Sequence, residues 1–370
     1  VSALILLAAG GTGGHMFPAE ALAGALLARG YRVGLVTDRR GRGFGDRLPA
    51  VEVHRISAGG IAGGGALSRA RGMVRIAFGL FQARGLLRRL EPRLVVGFGG
   101  YASVPAVLAA QRAGIATLLH EQNAVLGRAN RLLAPRASLV ACSFVSTAAL
   151  GKAPSRHTGN PVRAAIAALA EQPYAAPVAR LRILVLGGSQ GARVFSRLLP
   201  GAVALLTPAT REKIAIVQQC RPEDLASVRA AYDGLGLPAE LATFFDDVAR
   251  RFGEAHLAIC RSGASTVAEL AAAGRPAILI PYPHATDDHQ TRNAENFCAA
   301  GGGWLMPEAD ATPQRLAERI SSLLAHPGAL ALVAAAARQA GRRDAAERLA
   351  ELVGELAPAN GTSGPAKEAA

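Results

Sequence analysis

Twice in this chain of 370 residues an apolar strand runs straight into a glycine turn and then a helical stretch. The first copy is Leu4-Ile5-Leu6-Leu7-Ala8-Ala9 followed by Gly10-Gly11-Thr12-Gly13-Gly14-His15. The second is Ile183-Leu184-Val185-Leu186 followed by Gly187-Gly188-Ser189-Gln190-Gly191-Ala192. A glycine turn at the carboxyl end of a buried strand opens a Rossmann-like sheet, and ligands enter such sheets at the crevice beyond the strand ends. The doubling therefore predicts an α/β protein of two Rossmann-like domains, each with its own glycine loop, facing each other across a cleft.

The rest of the chain follows that rhythm. Short apolar runs at residues 4–9, 32–37, 94–98, 116–120 and 139–143 read as buried parallel strands between helices, and a second series lies at 182–186, 213–218, 256–260 and 277–281. Between the series, residues 152–177 carry Pro154, Pro161, Pro173 and Pro177 and read as the linker. The expected domains are residues 1–160 and 161–357, with 358–370 as a disordered tail. Half of the residues are hydrophobic, which excludes a disordered chain. Four widely spaced cysteines without a Cys-x-x-Cys pair argue against a disulfide framework or zinc knuckle and fit a reducing cytoplasm. The opening lacks a basic leader and a small-residue cleavage site, so no signal peptide is expected, and no uncharged stretch escapes interruption by glycine and proline long enough to span a membrane. A formal charge of +14 favours an anionic partner, such as a phosphorylated substrate or an anionic membrane surface. Nucleic acid is disfavoured because aromatics are only 5% and are not interleaved with the basic residues.

Several polar residues stand where strands end. His15, at the start of a helix, is either a locally bonded terminal residue or a general base titrating near neutrality. His120-Glu121-Gln122-Asn123 and Tyr101 end neighbouring strands and are expected in the same crevice or in a solvated turn. Neither nucleotide fingerprint fits: Met16 stands where the dinucleotide pattern needs a small residue, although Asp38 would suit a ribose, and no Lys-Ser/Thr follows either loop. Arg163, in Gly159-Asn160-Pro161-Val162-Arg163, is a surface charge or a diphosphate clamp. The segment from Cys260 to Arg275 predicts a strand, a helix capped at Ser262 or Gly263, and a stop at Gly274 and Pro276. Glu269 shares a helical face with Thr266 and is otherwise an exposed helix charge. His284, Asp287, Asp288 and His289 form no metal-ligand pattern, and no metal is expected.

Taken together, the two glycine loops, the His120–Asn123 run, the Gly159–Arg163 run and the Arg261-to-Glu269 helix resemble the MurG family of GT-B glycosyltransferases, over roughly residues 1–340. The resemblance implies inverting transfer of GlcNAc from UDP-GlcNAc, without a cofactor, to the C4 hydroxyl of MurNAc in undecaprenyl-diphospho-MurNAc-pentapeptide (lipid I), giving lipid II and UDP for peptidoglycan. It implies a peripheral enzyme on the cytoplasmic face of the bacterial inner membrane. Its site would comprise Ser189 and Arg163 toward the diphosphate, backbone near Phe245 toward uracil, Ala264, Ser265, Thr266, Val267, Ala268 and Glu269 at the ribose, and Gln290 at the sugar. Thr12, Gly13, Gly14 and Asn123 would close over the donor, and Tyr101 would stand on the acceptor side. His15 is the first choice of base and Glu121 the alternative. A UDP-GlcNAc 2-epimerase of the same fold and a non-catalytic polyanion or membrane binder are the rival readings.

The membrane expectation has its own residues. On a helix over residues 69–90, Met73, Ile76, Leu80, Ala83, Leu87 and Leu90 form one face, expected to be core. Val74, Phe78 and Phe81 fall on the other, ringed by Arg71, Arg84, Arg88 and Arg89, and read as an interfacial patch on anionic lipid or a face covered by another helix. Gly72, Gly79 and Gly85 are expected to weaken this helix.

Overall fold

The computed structural model describes residues 2–10, 13–38, 48–59, 66–188 and 191–358. Two compact units divide the chain, one of residues 1–161 with 344–370 and the other of residues 162–343. The first unit holds a seven-stranded sheet of β1 (Leu4–Ala8), β2 (Arg32–Thr37), β3 (Glu52–Arg55), β4 (Leu94–Gly97), β5 (Ala116–Glu121), β6 (Leu139–Cys142) and β7 (Ser155–His157). The order is β3-β2-β1-β4-β5-β6-β7, and every pairing is parallel. The second holds β8 (Leu181–Leu186), β9 (Ile214–Gln219), β10 (Ala239–Ala242), β11 (Leu257–Cys260), β12 (Ala277–Leu279) and β13 (Gly303–Leu305). Its order is β10-β9-β8-β11-β12-β13, again all parallel. Chain order reverses between β1 and β4 in one sheet and between β8 and β11 in the other, so each has its crevice where the glycine loop emerges.

The two central strands show why apolar runs mark this fold. Ile5 to Ala8 are fully buried because helices cover both faces of a parallel sheet, and Ile183 to Val185 are almost as deeply buried. Four strands carry no such run: β3, β7, β10 and β13. All four are sheet edges, paired on one side only, and need less apolar surface.

The domain expectation is corrected at two places. The Pro-rich stretch is not a free linker, since β7 lies inside it and pairs with β6, Val140 opposite Ser155. The helix Ala345–Leu356 belongs to the first unit, not the second. Its Leu349, Ala350, Leu352 and Val353 are buried in one cluster with Leu22, Ala23 and Leu26 of the helix Gly13–Ala28. Ion pairs Arg29–Glu347 and Arg156–Glu355, both at 2.7 Å, flank this contact but are exposed, so the apolar face supplies most of the stabilisation. The expected tail lies outside the described residues from position 359 onward.

The helix Ala66–Leu90 is continuous despite its glycines. Gly79 is a point of close approach: a Cβ there would stand 1.9 Å from the Ser57 carbonyl oxygen. Ala83 and Leu87 are buried as expected, whereas Met73, assigned by periodicity to the core face, is 56% exposed. Gly72 and Gly79 let the helix approach Gly59 and Ser57 closely, whereas Gly85 faces open space.

Candidate functional site

Each unit carries its own group of polar residues beyond the strand ends. In the first, Gly13 and Gly14 open the first helix and place the half-buried His15 in its first turn. The turn after β4 runs through Gly99 and Gly100 at φ +81° and +72°, a region L side chains rarely adopt. A Cβ at Gly100 would lie 3.2 Å from the His15 ring, so this backbone forms one wall of the imidazole's pocket. His15 Nδ1 lies 3.1 Å from Gln122 Oε1.

β5 ends differently from a solvated turn. His120 is fully buried, and Glu121 and Gln122 are each 2% exposed; only Asn123 of this run is half-buried. Glu121 Oε1 accepts from the Asn123 backbone N–H at 2.9 Å and its side-chain amide at 3.2 Å. Oε2 accepts from Gly127 N–H at 2.8 Å and Asn130 Nδ2 at 2.9 Å. A carboxylate held by four donors fixes the loop from 121 to 130. His120 packs against Phe98 with ring centroids 5.5 Å apart, and burial, together with nearby His15, holds it at about 4 despite a bond to the Gly159 carbonyl. The expectation that this whole run lines the crevice is thus corrected: three of its four polar side chains are satisfied inside the unit. Tyr101 is half-buried beside the glycine pair, while Thr12 lies outside the described residues.

In the second unit the helix Ala264–Ala273 starts at Gly263 and stops at Gly274, which is left-handed at φ +59°, as the sequence predicts. Glu269 is not an exposed helix charge; it is 7% exposed and paired with Arg163, whose Nε donates to Oε1 at 3.0 Å, with a terminal nitrogen 2.8 Å from the same oxygen. Both contacts converge on Oε1 rather than forking across the carboxylate. Burial pushes the Glu269 carboxyl up and Arg163 pulls it back, leaving it above its ordinary range. Arg163 directly precedes the short helix Ala164–Ala167, which packs on the Glu269 helix. At the N-terminus of that longer helix the Ser265 hydroxyl is buried and takes no hydrogen bond among the described residues. Ala264 and Val267 are buried and Thr266 and Ala268 half-buried.

Phe245 turns its side chain inward, 5% exposed, under the Arg251 guanidinium 3.9 Å from the ring centroid. Asp247 and Glu240 hold that guanidinium at 2.6 Å each. Gln290 is engaged on one side, its Oε1 accepting from the Tyr282 N–H at 2.9 Å. Ser189 lies outside the described residues. Gln219 is a residue that sequence reading did not single out. Its Oε1 accepts from Gly187 N–H at 3.1 Å while its Nε2 donates to Gly188 O and Thr243 O at 3.1 and 3.2 Å, tying the glycine turn to the strand beside it. A glutamine ending a strand beside a glycine loop was the available signal. Among the described residues no group of three His, Cys, Asp or Glu is placed to hold a metal ion.

Comparison with known proteins bears on both units. The glycosyltransferase family 28 N-terminal domain matches residues 5–155 and the family's C-terminal domain matches residues 182–349. A protein of Rhodospirillum rubrum named UDP-N-acetylglucosamine–N-acetylmuramyl-(pentapeptide) pyrophosphoryl-undecaprenol N-acetylglucosamine transferase is 56% identical over 98% of this chain and 95% of its own length. Its namesake from Paramagnetospirillum magneticum is 57% identical over 96% and 97%. The crystal structure of Acinetobacter baumannii MurG superposes with a TM-score of 0.77 at 31% identity, covering 95% of this chain and 99% of that one. A putative UDP-N-acetylglucosamine 2-epimerase from Listeria monocytogenes reaches a TM-score of 0.67 at 14% identity, a likeness of fold alone. With an α/β GT-B fold and full-length relatives at such identity, the chain belongs to the MurG family within glycosyltransferase family 28.

Proposed function

We propose that this enzyme transfers GlcNAc from UDP-GlcNAc to the C4 hydroxyl of MurNAc in undecaprenyl-diphospho-MurNAc-pentapeptide, with inversion, releasing UDP and forming lipid II. The observation that carries the donor assignment is the buried Glu269, paired with the half-buried Arg163, on the helix whose first turn holds a Ser265 hydroxyl without a hydrogen-bond partner among the described residues. A buried carboxylate with one oxygen engaged by its arginine suits chelation of ribose hydroxyls through the other, and a helix N-terminus with an unsatisfied hydroxyl suits a diphosphate. Ser189, backbone near Phe245, and Gln290 through its Nε2 complete the second unit's donor set in this reading. In the same reading Arg163 orients Glu269, and its positive charge favours the diphosphate.

The chemistry needs one base. As the acceptor oxygen bonds to C1 of GlcNAc, its proton passes to the base, the C1–O bond to UDP breaks on the opposite face, and the electron pair stays on the β-phosphate oxygen. That oxygen is a weak base already, so the helix dipole and an arginine stabilise it without an acid. His15 serves as the base more simply than Glu121, whose two oxygens are occupied by four donors. Tyr101, next in sequence to the Gly100 that lies against His15, is assigned to the acceptor side.

The acceptor's lipid tail calls for a membrane surface. Val74, Phe78 and Phe81 are 69%, 54% and 75% exposed on the helix Ala66–Leu90, together with Met73 and amid exposed Arg84, Arg88 and Arg89; the side chain of Arg71 lies outside the described residues. We assign this face to the anionic cytoplasmic surface of the inner membrane, each basic residue contributing about 1 kcal/mol. Among the described residues no single helix is long and apolar enough to cross a bilayer.

Labelled UDP-GlcNAc, incubated with and without a lipid I analogue and scored for transfer, free GlcNAc and epimer, tests the reading. Transfer only with acceptor supports it, and acceptor-independent epimer overturns it in favour of the epimerase. In the same assay His15→Ala should lose roughly 10²–10⁴ in turnover with donor affinity nearly kept. A larger loss in Glu121→Gln, which keeps an acceptor oxygen for the loop donors, moves the base to Glu121.

A further inference from the structure

Gln122 joins two histidines, and its own surroundings allow its amide only one orientation. Its Nε2 lies 3.0 Å from the Phe98 carbonyl oxygen and 3.1 Å from that of His120, both obligate acceptors. Turning the amide over would press Oε1 against two carbonyl oxygens in a site where Gln122 is 2% exposed, an expensive arrangement away from water. Oε1 therefore faces His15 Nδ1 at 3.1 Å, and an amide oxygen can only accept. The Nδ1 of His15 must carry the hydrogen, and in the neutral ring the lone pair then lies on Nε2.

His120 closes the arrangement from the other side. Its Nδ1, 2.9 Å from Gln122 Nε2, accepts as one of three acceptors that share the two amide hydrogens; its Nε2–H is directed to the Gly159 carbonyl at 3.3 Å, with the Ser143 hydroxyl at 3.4 Å. A hydrogen on His120 Nδ1 would oppose the amide N–H, so a neutral His120 keeps the glutamine as it is. We infer that Gln122 is a positioning residue that selects the Nδ1–H tautomer of His15, with His120 fixing the amide, so that Nε2 is the basic atom. The consequence for turnover rests on His15 being the base; the tautomer itself does not.

The test is nitrogen NMR of ¹⁵N-histidine-labelled full-length protein above the His15 pKa, the His15 signals being assigned with His15→Gln. The expected result is a protonated Nδ1 and an unprotonated Nε2 in the native protein, shifting toward the Nε2–H form in Gln122→Met. Turnover of Gln122→Met should fall by about ten- to a thousand-fold, below the roughly 10⁴ lost when a serine protease's orienting carboxylate no longer sets the tautomer, with the donor KM unchanged. An Nε2–H ring in the native protein overturns the inference and needs no variant to be folded. So does a tautomer that Gln122→Met leaves unchanged. Full turnover in His15→Ala, by contrast, overturns the base reading while the ring signals still decide the tautomer.

Discussion

Acid should weaken the first unit through one buried ring. His120 is fully buried, and burial holds it at about 4, against 6.5 in an unfolded chain. The unfolded chain takes up a proton as the pH drops below 6.5, whereas the folded ring stays neutral until about 4. Stability is therefore unaffected by this ring above pH 6.5 and falls between 6.5 and 4. At about 1.36 kcal/mol per pKa unit the loss is ~2 kcal/mol at about pH 5 and ~3 kcal/mol once the folded ring itself titrates. That is a large fraction of the ~5–15 kcal/mol that holds an ordinary domain folded. His120→Gln removes the titration at the cost of some packing at every pH. In urea unfolding of the native and variant chains at about pH 7.5 and about pH 5, the native advantage should shrink by ~2 kcal/mol at the lower pH. The other histidines are present in both chains and cancel. An advantage that stays constant with pH, or a folded His120 ring titrating near 6.5 by NMR, would refute the reasoning.

Three further outcomes are expected. Glu269→Ala should weaken UDP-GlcNAc binding about 10- to 150-fold by calorimetry, since hydrogen bonds to a charged group contribute ~1.5–3 kcal/mol, and unchanged affinity removes the ribose assignment. Gly79→Ala should lose ~1–3 kcal/mol in denaturant unfolding because its Cβ meets the Ser57 carbonyl, whereas Gly85→Ala, with nothing within 4 Å, should gain ~0.5–1 kcal/mol; equal effects would mean the close approach does not matter. The double variant Phe78→Ser/Phe81→Ser should lose salt-sensitive binding to anionic vesicles while binding UDP-GlcNAc and acting on a water-soluble acceptor, and full vesicle binding would put the contact elsewhere.

The central strands and both glycine turns were legible in the sequence because a parallel strand covered on both faces must be apolar along its length, as Ile5 to Ala8 are. So was the end of the Glu269 helix, since Gly274 adopts a left-handed conformation that suits glycine. Edge strands such as Ser155–His157 escaped notice because pairing on one side only leaves them free to be polar. Return of the helix Ala345–Leu356 to the first unit was equally invisible: its apolar stripe states that it packs, and only the fold states on what. The same division runs through the candidate site. Sequence placed His15 and Glu121 at strand ends and Glu269 on a helix face, which local periodicity fixes, and left Arg163 in the linker as a surface charge or a clamp. Tertiary structure decided that Glu121 is locked by loop donors, that Glu269 is buried and paired with Arg163, and that Gln122 stands between two imidazoles. Those states depend on partners up to 107 residues away in the chain, and hydrogen bonding between such distant residues leaves no periodicity to read.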